Sequence, residues 1–303
     1  MATLINSRSF YAGEFTTPTL RNLRKQIQLP FSGSSIRIDE IVADVQSSHR
    51  DQKTLKYRFT CPPFSQHHPM SRTVTWLHLS DLHACKPKSG WDAARVIETL
   101  GEDLRRLRDQ HNLNPDFLFF TGDLAFGHLG SDGGKSISEQ FLEGEKFLCD
   151  VRACFDPVIA KENVFLVPGN HDVNRTVITE SETGMLQTNQ DLEKIEGWIR
   201  DLSGDWQLFL GRLSEYKKFL SDNSYQHCLE DGERLIYSAT REVAGLTIGI
   251  AGFNTAWSST GAGREEMGEL WAAGRFQLET LRQEIRKCQV KICLLYTSPS
   301  PRD

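Results

Sequence analysis

Apolar and polar positions follow three different rhythms along this chain. From residue 74 onward the pattern is regular. Residues 74–79 form a continuous β-prone apolar run, which predicts a buried strand. A helix is predicted over 91–111, with Ile97, Leu100, Leu104 and Leu107 on one face, and Asn114-Pro115 ends it. A short strand follows at 117–120, a helix at 138–154 carrying Phe141, Glu145 and Leu148, and a third strand at Val164–Val167. Strands alternating with helices predict a layered α/β fold. Residues 176–225 break this alternation: Leu192, Ile195, Ile199 and Leu202, then Trp206, Leu210, Leu213 and Leu220, keep helical spacing. They predict a mostly helical insertion whose Trp/Leu stripe serves as core packing or a cap. Beyond it come strands at 234–240 and 246–251 around a turn at Gly245, a helix over 274–288 with Leu278, Leu281, Ile285 and Cys288 on one face, and a strand at Val290–Leu295.

Residues 1–70 have a weaker pattern, rich in Ser, Thr, Arg and Gln. They suggest a short helix at 20–29 and a strand or short helix at 36–45. Met70 stands just before the first strong strand and reads as a natural start. The segment before it is expected to be an extension of unknown role, an accessory segment or a misassigned upstream stretch. Charge divides at the same place. The chain of 303 residues has a net charge of −5, yet residues 1–70 hold 9 Lys/Arg against 5 Asp/Glu, so the body is acidic. An acidic body gives nucleic-acid binding no general support, though a local basic patch stays open, and it suits a cation site equally well.

Composition otherwise places the chain among soluble globular proteins, with 39 % apolar and 25 % charged residues. The seven cysteines are odd in number, irregular in spacing and free of any C-x-x-C. They read as reduced thiols of a cytoplasmic protein and not as a disulfide framework. No signal peptide and no membrane-spanning run is evident.

Three motifs close three predicted strands: Leu79-Ser80-Asp81-Leu82-His83, Thr121-Gly122-Asp123, and Pro168-Gly169-Asn170-His171-Asp172. In open α/β sheets the crevice outside the carboxyl ends of the strands binds ligands, so these loops converge. Carboxylate and carboxamide oxygens mixed with imidazole nitrogen suit zinc, manganese or iron better than calcium. Asp81 and His83 can reach one ion, Asp123 can bridge two, and Asn170 adds a ligand without charge. Each motif alone has a bland reading: Asp-x-His arises by chance, and Gly-Asp is mostly a turn. Of the isolated histidines, His78 reads as a core or face residue inside its strand, and His111, His128 and His227 as solvated side chains. His67-His68 reads as surface, and the loop from Gly130 to Gly134 as flexible and not phosphate-cradling.

Together and in this order, the three motifs resemble the signature of the calcineurin-like metallophosphoesterase superfamily over about residues 72–293. The resemblance implies an α/β fold of the metallophosphoesterase β-sandwich type flanked by helices. It implies a metal-dependent hydrolase acting on phosphoester substrates, monoesters or diesters, with two divalent metal ions (Mn, Fe or Zn). Asp81 and His83 would hold the first ion, Asp123 would bridge, and Asn170 would hold the second, with ion-activated water as nucleophile. His171 would face the substrate and stabilise or protonate the leaving oxygen, Asp172 would orient its ring, and Arg175 would contact phosphate. Nucleases, cyclic-nucleotide phosphodiesterases and protein phosphatases share these ligands, so the substrate class stays open.

The pattern then departs from that family. Its two later elements, His-His-Pro after the last helix and strand, and Gly-His-x-His, are both missing, and His227 is the only histidine after His171. Residues 294–303 resemble translated sequencing-adapter sequence and read as a non-native tail. The expectation is a phosphoesterase domain at 71–293, incomplete at its C-terminus, with an exposed sheet edge and impaired activity. The rival expectation is a non-catalytic binding or scaffold protein that retains the fold.

Overall fold

The computed structural model describes residues 2–6, 36–44, 56–59, 72–84, 93–127, 135–188, 191–259 and 274–296. Nine strands and seven α-helices follow one another among these residues. Their order is β1 (Ala2–Asn6), β2 (Ile36–Asp44), β3 (Lys56–Phe59), β4 (Arg72–Ser80), α1 (Ala93–His111), β5 (Phe117–Thr121), α2 (Ile137–Arg152) and β6 (Val164–Val167). Then come α3 (Glu180–Thr188), α4 (Leu192–Asp201), α5 (Gly204–Gly211), α6 (Ser214–Asp222), β7 (Tyr237–Val243), β8 (Leu246–Gly252), α7 (Arg275–Glu284) and β9 (Val290–Leu295).

The strands make two sheets, ordered β3-β2-β4-β5-β6 and β1-β9-β8-β7. In the first, β2, β4, β5 and β6 run parallel and β3 is antiparallel to β2. Strands buried on both faces need unbroken apolar runs, and β5 and β6 are buried at every position. The two sheets meet where β5 and β6 face β8 and β9. This is the layered α/β fold the alternation predicted, with the two sheets that the family resemblance implied. Of the 36–45 stretch, residues 36–44 form a strand, the first of its two alternatives. The open edge expected beside β9 is taken by β1, paired in parallel from Ala2↔Lys291 to Asn6↔Leu295.

Local signals explain the helices around the sheets. Ser136 and Glu139 form a reciprocal capping box at the start of α2: Ser136 Oγ accepts from the Glu139 N–H and Glu139 Oε2 from the Ser136 N–H. On α1, Leu100, Leu104 and Leu107 are buried as their spacing predicts. The 176–225 insertion is helical; of its stripe, Ile195, Ile199 and Trp206 join Trp198, Phe209 and Trp257 in a second core, while Leu213 and Leu220 pack into the main one.

Two expectations need correcting. Leu278 is exposed; Gln277 points inward instead, exchanging hydrogen bonds with the backbone of Asn254. His227 is half-buried and not solvated: its Nε2 lies 2.7 Å from the Val164 carbonyl and its ring meets Phe165 edge-on. A half-buried ring needs a hydrogen-bond partner, which the start of β6 provides. His111 is exposed as expected. The helix at 20–29, His67, His68, His128 and the loop from Gly130 to Gly134 lie outside the described residues. Among the described residues no helix is long and apolar enough to cross a membrane.

Candidate metal centre

Because β4, β5 and β6 are adjacent and parallel, the loops leaving Ser80, Thr121 and Val167 emerge side by side. Backbone bonds tie the first two together: Asp81 N–H to Gly122 O, His83 N–H to Asp123 O and Ala84 N–H to Leu124 O. Asp81, His83 and Asp123 all adopt left-handed backbone, with φ of 58°, 51° and 58°. Outside glycine that conformation costs on the order of 1–2 kcal/mol per residue. The inter-loop bonds offset this strain, and the result aims all three side chains into one crevice.

Asp123 is the hub. Its Oδ2 lies 3.2 Å from His83 Nε2, and its Oδ1 accepts from the His171 backbone N–H at 2.9 Å. The rings of His83 and His171 meet edge to face with centroids 4.6 Å apart. One ligand atom each from His83, Asp123 and His171 lies within 4.8 Å of the others, a group that can hold a metal ion. Sequence reasoning placed His171 outside the ligand set; the fold brings it into the same cluster. Asp81 is buried beside them, and its charge bears on both His83 and Tyr296.

Electrostatics shows what this crevice lacks. Burial disfavours a charged His83 ring, but the hydrogen bond and charge of Asp123, with Asp81 and Asp172, outweigh it and hold the pKa above the usual imidazole value. Burial likewise opposes charge on Asp123, but His83 and His171 hold its carboxyl below the usual range. A crevice that retains a proton against burial is short of positive charge. Beyond the Nε2 contact with Asp123, His83 Nδ1 is buried and has no hydrogen-bond partner.

Asp172 does not orient the His171 ring as expected. Its Oδ2 accepts from the N–H groups of Asp123 and Gly169 and its Oδ1 from that of Ala125, so it staples the second and third loops together. Burial and the charge of Asp123 push its pKa up to about 7, against the pull of these donors. The His171 ring is held instead by the Phe126 carbonyl, 2.6 Å from Nδ1. A carbonyl only accepts, so Nδ1 carries the proton and Nε2 faces the crevice. Arg175, in the turn after Asn174, is half-buried, and its charge helps lower the His171 pKa after the larger effect of burial.

Three contributors escaped sequence reading. The Phe126 carbonyl is a backbone group, which no side-chain pattern can flag. Gln140 on α2 is fully buried: its Oε1 accepts from Phe126 and Gly127 N–H, and its Nε2 donates to Gly127 and Lys135 carbonyls. It thus fixes the loop that holds His171. Gln140→Leu strands these backbone groups, and unsatisfied buried polar groups cost about 1–3 kcal/mol each. With Phe126 and Lys135 only half-buried, a net loss of about 2–4 kcal/mol is expected, read as a lower urea midpoint by tryptophan fluorescence.

The third is Tyr296. Leu294 and Leu295 complete β9, and Tyr296 follows directly, 2 % exposed. Its hydroxyl lies 2.9 Å from Asp123 Oδ2 and 2.5 Å from Asn170 Oδ1. Its place after the strand carried a signal, because a histidine was expected there. Residues 297–303 lie outside the described residues.

His83, Asp123 and His171 form a candidate site for a metal ion, and the Tyr296 hydroxyl engages the Asp123 and Asn170 side chains beside it. Compared with known proteins, residues 74–251 match the family model described as calcineurin-like phosphoesterase. No curated protein matches the chain.

Proposed function

Since this chain belongs to the calcineurin-like phosphoesterase family, we propose that it hydrolyses phosphoesters with a divalent metal ion held by His83 and Asp123, Asp81 beside them. The supporting observation is the convergence of His83, Asp123 and His171 within 4.8 Å at the carboxyl ends of parallel strands. Imidazole and carboxylate donors favour manganese, iron or zinc. A bound ion there supplies positive charge to the phosphoryl oxygens and acidifies water.

The chain's own residues supply the rest. Asp123 anchors the loops of β4 and β6 and carries the charge that attracts the cation. Asp172 fixes the loop backbones around it. The Phe126 carbonyl holds the Nδ1 proton of His171 and turns Nε2 toward the ester. A phosphate dianion beside that ring favours a second proton, at Nε2, which is then placed to pass to the leaving oxygen. Arg175 adds positive charge on the same side. Residues 71–293 carry the catalytic side chains in this reading, and residues 1–70, expected as an extension, add β1, β2 and β3 to the two sheets. The odd number and irregular spacing of the seven cysteines, with no C-x-x-C, favour a reducing compartment such as the cytoplasm.

Protein freed of metal should release no p-nitrophenol from p-nitrophenyl phosphate or its bis ester. Manganese should restore a slow release, which Asp123→Asn lowers by at least about 100-fold, the upper range for disturbing a metal's ligand environment. No manganese-dependent release above the Asp123→Asn background overturns the enzyme reading. The second reading, a binding protein that keeps the fold, is favoured by the Tyr296 hydroxyl on Asp123 and Asn170; phosphate binding without turnover is its signature.

A further inference from the structure

We infer that in this chain the Tyr296 hydroxyl takes the place of a second metal ion, joining Asp123 to Asn170 and leaving a site for one ion. This rests on the metal-dependent reading above and changes its stoichiometry.

Three observations carry it. The hydroxyl lies within hydrogen-bond distance of both Asp123 Oδ2 and Asn170 Oδ1, the two oxygens a second ion would need. All three residues are buried: Asp123 and Asn170 are 1 % exposed and Tyr296 2 %. Water therefore does not compete for these contacts. The phenol is also seated and not merely adjacent. Its ring lies against Gly122, where a Cβ would collide with it, and Gly122 has φ of +94°, a conformation glycine adopts freely. Its backbone is pinned as well, since Thr255 Oγ1 donates to the Tyr296 carbonyl at 2.6 Å.

The proton count supports a closed network. A hydroxyl has one proton, and donating it to Asp123 leaves the phenol oxygen facing Asn170 Oδ1, two acceptors together. Asn170 Nδ2 is buried with no partner on the other side of the same carboxamide. Turning the carboxamide through 180° lets Nδ2 donate to the phenol oxygen while the phenol donates to Asp123, so that the phenol oxygen and Asp123 Oδ2 each meet a proton. One lone pair of Asp123 Oδ2 is then committed to the phenol, beside the His83 contact on the same oxygen, and the carboxamide oxygen of Asn170 faces away from it.

Metal stoichiometry tests this without relying on turnover. The purified full-length protein, stripped of metal, is titrated with manganese by calorimetry and examined by electron paramagnetic resonance. Wild type should bind one ion per chain and give an isolated-ion spectrum. Tyr296→His, which exchanges the phenol for an imidazole ligand, should bind two ions and give the spectrum of a spin-coupled pair. Tyr296→Phe keeps the ring over Gly122, guards against misfolding of the histidine variant, and should bind one ion. Two ions per wild-type chain overturn the inference and leave metal dependence standing, as does a Tyr296→His protein that melts like wild type and binds one. No manganese in any of the three overturns the metal-dependent reading itself, and the inference with it.

Discussion

His171→Gln should lower turnover by about 10²–10⁴-fold, the usual contribution of a positioned proton donor, with manganese affinity changed no more than a few-fold. The Phe126 carbonyl holds Nδ1, so only Nε2 can serve the substrate. Glutamine fills similar space but cannot cycle a proton. The loss should be larger for phenyl phosphate than for p-nitrophenyl phosphate, because p-nitrophenolate departs without being protonated. Equal losses on both substrates, with manganese affinity lower by about tenfold or more, would show that His171 is a ligand instead, as its closeness to His83 and Asp123 allows. The measurement is a pair of steady-state profiles and one metal titration.

Gly169→Ala should be nearly as damaging, by a different route. The Gly169 backbone has ordinary extended geometry, with φ of −105°, so alanine brings no conformational strain. The conflict is steric: an added Cβ would run into the Asp123 backbone nitrogen and its Oδ1. Backbone on both sides of a stapled loop pair cannot yield cheaply, and overpacking of this kind costs about 1–3 kcal/mol or more. Relief requires the second and third loops to part, which breaks the bonds from Asp123 N–H and Ala125 N–H to Asp172. The expected result is a lower melting temperature together with loss of manganese binding. Wild-type metal affinity in the Gly169→Ala variant would show that the loops separate without moving the Asp123 carboxylate.

Much of the architecture was legible because its signals are local. Val164–Val167 and Val290–Leu295 form strands at the predicted bounds, since short β-prone apolar runs between polar breaks have few other solutions. The helical insertion followed from its spacing. Leu278 misled because one helical face was assumed to be uniformly apolar, whereas Gln277 fits inward through paired bonds to a buried backbone segment. His227 misled because an isolated histidine carries no record of which carbonyl it will meet.

The sequence by itself determined the family and where its motif residues stand: Asp81, His83, Asp123, Asn170 and His171 stand at strand ends, and strand order in a parallel sheet brings strand ends together. Only the tertiary structure decided what each donor touches. It gave the His171 ring to the Phe126 carbonyl, turned Asp172 onto three backbone N–H groups, and set the Tyr296 hydroxyl between Asp123 and Asn170. The reason is range. A strand or helix is chosen by neighbours within a few residues, while these contacts span 45 residues between Phe126 and His171 and 173 between Asp123 and Tyr296. Contacts across such distances depend on how the sheets and loops pack, and no local pattern encodes that.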